Sequence, residues 1–209
     1  MTLTPAVAAD LAAVRDATAR MRALVDATRD LGAPSLLPGW TRAHVVAHLA
    51  GNARSHLRML QGTVEGVIMD QYDGGAASRA AAIEELALRP DDAVADLHRS
   101  ADELDALWQR ADWSGLVRPL GSDPKPAAGL LWARRREVEV HAVDLGAGYR
   151  PQDWPADFLD RLLEELLRRA DLPSLDGVTG PPYALAAWLT GRSGGAGLSG
   201  RLPVLPEWR

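Results

Sequence analysis

At 209 residues the chain is long enough for one sizeable core, or for a main domain with a small appendage. Its formal net charge of −5, with acidic and basic residues interspersed, leaves no basic stripe for a polyanion, so nucleic acid is not expected as a partner. With no cysteine there is no disulfide, no thiolate nucleophile and no zinc–thiolate site, and any sulfur chemistry must use a thiol brought from outside.

The amino-terminal stretch MTLTPAVAADLAAVRDA acquires charges before any apolar run long enough for a signal or a membrane span, so a cytoplasmic protein without a membrane partner is expected. Thr4 and Pro5 open the first helix as cap and first-turn residue, and Val7, Leu11, Val14, Thr18, Met21 and Val25 recur at helical spacing. After GAPSLLPGW a second helix starts at Thr41, with Trp40 and Val45 placed for a hydrophobic staple, and runs to about Gln61. TVEGVIMDQYDGGAAS reads as a glycine-punctuated connection to a third helix from about Ala76 to Leu88. From Asp91 the apolar face Val94, Leu97, Ala101, Leu104, Trp108 and Ala111 marks a fourth, with aspartates at its positive end.

SDPKPAAG separates that helix from one over about Pro126 to Leu145, which Gly146 and Gly148 are placed to end. Four or five long helices without alternating strands predict a mainly α protein built on an up-and-down bundle through residue 148. Residues 149–209 form a small second domain. There YRPQDWP is a linker, ADFLDRLLEELLRRAD an amphipathic helix, VTGPPYALAAWLTGRSGG a strand or turn followed by a helix and a glycine-ended loop, and LPVLPEWR an extended end.

The fifth helix carries REVEVHAVDLG, in which Glu137 and His141 lie four residues apart and so share a face, with Arg134 and Asp144 close to it. Bundle metal centres recruit a further ligand from a facing helix, and the second helix offers His44, His48, Asn52 and His56. His48, amid Val45, Val46 and Leu49, is the one placed to point inward. Two histidines and a carboxylate are a set that zinc uses where a coordination position stays open. The same residues also fit a solvated Glu–His pair and an ordinary core histidine, and the spacing alone does not separate these readings.

The segments LLPGWTRAHVVAHLAGNA, LLWARRREVEVHAVDLGAG and WLTGRSGG together resemble the mycothiol-dependent maleylpyruvate isomerase family, over nearly the whole chain. The resemblance implies a DinB-like four-helix bundle followed by a small α/β carboxy-terminal domain, here shortened because only DLPSLDG separates its first helix from GVTGPPYALAAW. It implies zinc held by His48, Glu137 and His141, mycothiol as the thiol, and Arg192 as an active-site arginine. Asn52 and Arg134 are candidate contacts to mycothiol or substrate.

The implied activity is conversion of maleylpyruvate to fumarylpyruvate in the gentisate route of aromatic breakdown, by a monomer whose partners are a dicarboxylate and a low-molecular-weight thiol. A mycothiol S-transferase and a non-enzymatic metal-stabilised binding module are the alternatives. In the last of these a fourth protein ligand, His44 or Asp144, closes the coordination shell.

Overall fold

The computed structural model describes residues 3–206, so the ends of the expected first helix segment and extended tail, residues 1–2 and 207–209, lie outside the described residues. The chain falls into two compact units, Met1–Ala147 and Gly148–Arg209.

The first unit contains α1 (Pro5–Ala27), α2 (Arg42–Glu65), α3 (Gly75–Ala87), α4 (Pro90–Trp108) and α5 (Gly129–Asp144). α1 begins where the sequence indicates: Pro5 occupies the first turn, and the Thr4 hydroxyl accepts from the Val7 amide at 3.3 Å. Leu11, Val14, Ala17, Met21 and Val25 form its buried stripe. α2 extends a turn beyond the expected Gln61 and stops at Gly66, whose φ of 73° is left-handed and suits a helix end. α5 stops at Leu145 and Gly146, the latter with φ 66°, but starts at Gly129 rather than near Pro126.

The late start has a cause. Lys125 and Pro126 belong to β2, which pairs antiparallel with β1 (Leu116–Val117) in a two-stranded ribbon. Such short strands have no alternation to read. The ribbon is tied to the α2–α3 connection, where the Gln71 amide donates to the Arg118 carbonyl at 3.1 Å and the Leu120 amide to Gln71 Oε1 at 2.8 Å.

α2 and α5 are the inner helices. α2 packs against α4, α3 and α5, and α5 packs against α1 as well as α2. Neither has a wide solvent face: the buried residues of α5 include Leu130, Leu131, Arg134, Val138, Val140, Val143 and Asp144, which encircle the helix. A helix covered all round turns its polar residues inward too, and each then needs a partner. At one end of the bundle Leu11, Val14, Met59, Leu60, Leu104, Trp108 and Leu131 close an apolar cluster.

The second unit holds a short 3-10 turn (Pro151–Asp153), α6 (Ala156–Leu167) and α7 (Pro182–Leu189). Phe158, Leu162 and Leu166, each four residues from the next, form the buried side of α6, which packs against α7. Trp154 meets Phe158 edge-on with ring centroids 5.8 Å apart. Strand pairing among the described residues of this unit consists of the antiparallel bridge Thr179–Ser199. No helix of the described residues is long and apolar enough to cross a membrane.

Leu131 is fully buried in the apolar cluster at one end of the bundle. Leu131→Ala is expected to lower unfolding stability by about 2–5 kcal/mol, measured by urea denaturation, whereas a loss under about 0.5 kcal/mol would mean that the position is not core.

Candidate metal centre

His48 lies in α2 and Glu137 and His141 in α5, and the helix pairing brings the three side chains together. His48 Nε2 is 2.9 Å from Glu137 Oε2, and His141 Nε2 is 3.6 Å from the same oxygen. The two imidazoles meet edge-on at 4.4 Å between centroids. One donor atom from each residue lies within 4.8 Å of the others, and the three form a group that could hold a metal ion. Ligand bonds of about 2.0–2.1 Å at tetrahedral angles put neighbouring donors about 3.3 Å apart, and the two measured separations bracket that value.

Access increases across the cluster. The side chain of His48 is 3% exposed, that of His141 13% and that of Glu137 24%, so solvent reaches the group from the carboxylate side. The donors are also supported from behind. Asp144 Oδ2 lies 2.8 Å from His141 Nδ1 as an ion pair, a carboxylate–histidine pairing that holds the ring and leaves Nε2 facing the cluster. Asp144 is itself buried and turned to Nδ1, which makes it a support and not a fourth ligand.

His44 is likewise outside the group. Its Nδ1 accepts from the Thr41 amide at 3.2 Å at the start of α2, and its Nε2 is 3.2 Å from Glu84. The two residues expected to close the shell of a non-enzymatic module therefore have other employment.

On the far side of His48, an Arg79 guanidinium nitrogen donates to Nδ1 at 3.0 Å. That bond requires Nδ1 to be bare, so the ring proton sits on Nε2 and is donated to Glu137. For Nε2 to act as a ligand the proton must move to Nδ1, and the bond from Arg79 is then lost. Trp40 covers the ring, with centroids 5.8 Å apart.

The protonation states follow from burial and neighbours. Burial, with the His141 charge adding to it, pushes His48 down to about 4, so it is neutral at physiological pH. Burial alone would lift Glu137, but hydrogen bonds from His141 and His48 and their charges together outweigh it and hold the carboxyl well below its usual range. For His141 burial pulls downward, yet the hydrogen bonds to Asp144 and Glu137 and the two negative charges raise it above its ordinary value.

Asn52 and Arg134, expected as contacts to thiol or substrate, hydrogen-bond each other instead. Arg134 Nη1 donates to Asn52 Oδ1 at 2.7 Å and to the Leu49 carbonyl at 2.8 Å, and both side chains are buried between α2 and α5. A buried guanidinium takes whatever acceptors its packing offers, and here they come from the facing helix. Burial lowers Arg134 only to about 10, which leaves it charged.

His56 continues the same line one turn further. It is buried, and burial with the Arg134 charge pushes it down to about 3. Arg192, in the second unit, lies past the end of α7 beyond Thr190 and Gly191, and donates to the Thr190 carbonyl at 2.6 Å. Arg79 is the neighbour that sequence reasoning missed. The one cue was a lone arginine between small residues in SRAAA, and spacing on its own helix says nothing of its reach to α2.

Residues 11–146, more than half of the chain, match the family described as the mycothiol maleylpyruvate isomerase N-terminal domain. Among solved structures, the mycothiol-dependent maleylpyruvate isomerase is similar over 100% of this chain and 100% of that one, with 27% identity and a TM-score of 0.89. A mutant of that enzyme with a histidine replaced by alanine is similar to the same extent, at 27% identity and TM-score 0.89 over both whole chains. No curated protein matches.

Replacing His48 or His141 by alanine is expected to abolish stoichiometric zinc, and Asp144→Asn to weaken zinc binding about 10–100-fold, as read by chelator competition. Full metal content in both histidine variants would refute the assignment. Because His141 is raised and His48 depressed, an ion must displace a proton chiefly from His141. Zinc affinity should thus fall about tenfold per unit as pH drops below the raised His141 value. An affinity unchanged from about pH 8 to pH 6 would contradict this.

Proposed function

The chain belongs to the mycothiol maleylpyruvate isomerase N-terminal domain family, and from that premise we propose that it is a mycothiol-dependent, metal-assisted cis–trans isomerase of maleylpyruvate. The observation that carries the reading is the convergence of His48, Glu137 and His141 at the solvent-reached side of α2 and α5 in a chain that has no cysteine of its own. Two histidines and one carboxylate leave a coordination position for an external ligand and favour zinc among common ions, although nitrogen and oxygen donors also suit other divalent metals.

When bound, such an ion supplies the positive charge that keeps a thiol ionised near neutral pH. The protein's own groups prepare for this. Glu137 is held ionised and His48 neutral, so two of the three donors need no deprotonation at physiological pH. Asp144 keeps the His141 proton on Nδ1 and leaves Nε2 to the cluster. His48 holds its own proton on Nδ1 once Nε2 is a ligand.

A carbon–carbon double bond does not rotate at useful rates, so the geometric change needs a temporary single bond. In the proposed reaction the thiol sulfur adds to the alkene carbon activated by the conjugated carbonyl, and the alkene electron pair moves into that carbonyl to give an enolate. Rotation about the new single bond follows. Return of the electron pair then expels the same sulfur, giving fumarylpyruvate and the unchanged thiol. Arg192 is the candidate guanidinium for a substrate carboxylate, a role suited to its two-pronged geometry. The partners in this reading are a dicarboxylate and a low-molecular-weight thiol, with the chain acting as a cytoplasmic monomer in the gentisate route.

Incubating maleylpyruvate with the zinc-loaded protein should give fumarylpyruvate only when mycothiol is present, with mycothiol recovered in full. Thiol consumed in proportion to product would identify an S-transferase instead. Arg192→Ala is expected to retain zinc and to lower kcat/KM by about 100-fold or more, and a variant with unchanged kcat/KM would remove Arg192 from the reaction.

A further inference from the structure

A cavity of about 210 Å³ lies beside α2 and α3, on the Nδ1 side of His48, and its lining includes His48, Arg54, Arg58, Tyr72, Asp73 and Arg79. Three guanidiniums and one carboxylate in the wall make it locally positive in a chain whose net charge is −5. The compensation is incomplete. Arg54 pairs with Asp96, but that carboxylate is shared with Arg99. Arg58 donates from Nε to the Asp70 carbonyl at 3.0 Å, a neutral acceptor. Arg79 rests on a neutral ring nitrogen of His48 and over the face of Tyr72, 5.8 Å from its centroid, and its Nε is buried without a hydrogen-bond partner. Neither Arg58 nor Arg79 meets a carboxylate among the described residues.

We propose that this cavity is an anion subsite for a carboxylate group of the substrate, with Arg79 and Arg58 as its principal ligands. The inference rests on the reading of the chain as an isomerase of a dicarboxylate and names where, within the metal-bearing unit, that charge is held. Guanidinium forks match carboxylate geometry and bind it in two-pronged fashion. The volume is below the roughly 300–1,000 Å³ of sites for drug-sized ligands, which suits a compact anion.

Arg79 links the subsite to the metal centre. One of its nitrogens donates to His48 Nδ1 at 3.0 Å, while its Nε, buried without a hydrogen-bond partner, is left for an anion in the cavity that both residues line. The substrate's charged end is thereby fixed against the residue that supports the ion, in the same unit.

The test uses maleate, a four-carbon dicarboxylate, titrated calorimetrically into the zinc-loaded protein. Saturable binding is expected, weakened about tenfold or more in Arg79→Met and in Arg58→Met, and less in Arg79→Lys, which keeps charge but loses the fork. Zinc content and far-ultraviolet circular dichroism should match the unsubstituted protein. Maleate binding that ignores both methionine substitutions, or that is absent from the unsubstituted protein, overturns the subsite. Turnover of maleylpyruvate by Arg79→Met with unchanged KM also overturns it and leaves the isomerase standing. Arginine-dependent maleate binding by a protein that isomerises nothing upholds the subsite and removes the isomerase.

Discussion

The structure turns on one carboxylate. Glu137 sits at the contact of two inner helices, held ionised by two imidazoles although burial opposes its charge. An unpaired carboxylate there would cost several kcal/mol, so the donors facing it are what permits a polar group at this position. The other consequences follow from that pairing. His141 gains basicity from Glu137 and from Asp144 behind it, while His48, more deeply buried and beside the His141 and Arg79 charges, loses it. Two histidines at one carboxylate thus acquire opposite characters, one poised to exchange a proton for an ion and one already bare of extra charge.

The carboxylate is one point on a longer polar seam. On α2 His48, Asn52 and His56 follow one another at four-residue steps, and on α5 Arg134, Glu137 and His141 follow at steps of three and four. Paired face to face, the two rows put polar groups where most bundles place leucines. At the Asn52–Arg134 level the groups satisfy each other and are shut away from water. At the His48–Glu137–His141 level the carboxylate side is open to solvent, which makes the difference between a sealed structural contact and a group that a ligand from solvent can approach.

Much of this was legible from spacing. The apolar periodicities give the long helices, and the E-x-x-x-H step puts Glu137 and His141 on one face because it is a property of a single helix. What spacing withholds is anything between helices. Nothing in RRREVEVH states that Arg134 will meet Asn52 rather than a ligand, since that depends on how far α2 is slid along α5. Arg79 was hidden for the same reason, and for another: α3 is an alanine-rich helix whose apolar pattern is weak, preceded by a glycine-punctuated connection, so its packing against α2 left little trace in the sequence. The ribbon of β1 and β2 was hidden by brevity, two residues per strand being too few to show a period.

The seam also says something about what the bundle is for. Replacing a buried ionic group by apolar side chains of similar volume is often neutral or stabilising by about 1–4 kcal/mol, so a helix pair that only needed to hold together would do better with aliphatic residues at these levels. Arg134 keeps its charge despite full burial, His56 is driven to neutrality beside it, and Glu137 needs two rings to remain ionised. A scaffold gains nothing from that arrangement. A site meant to offer an oxygen and two nitrogens to one cation gains a carboxylate already ionised and a His48 already neutral, leaving the His141 proton to depart and the His48 proton to change nitrogen, and the stability forgone at the seam is returned as that partial preorganisation.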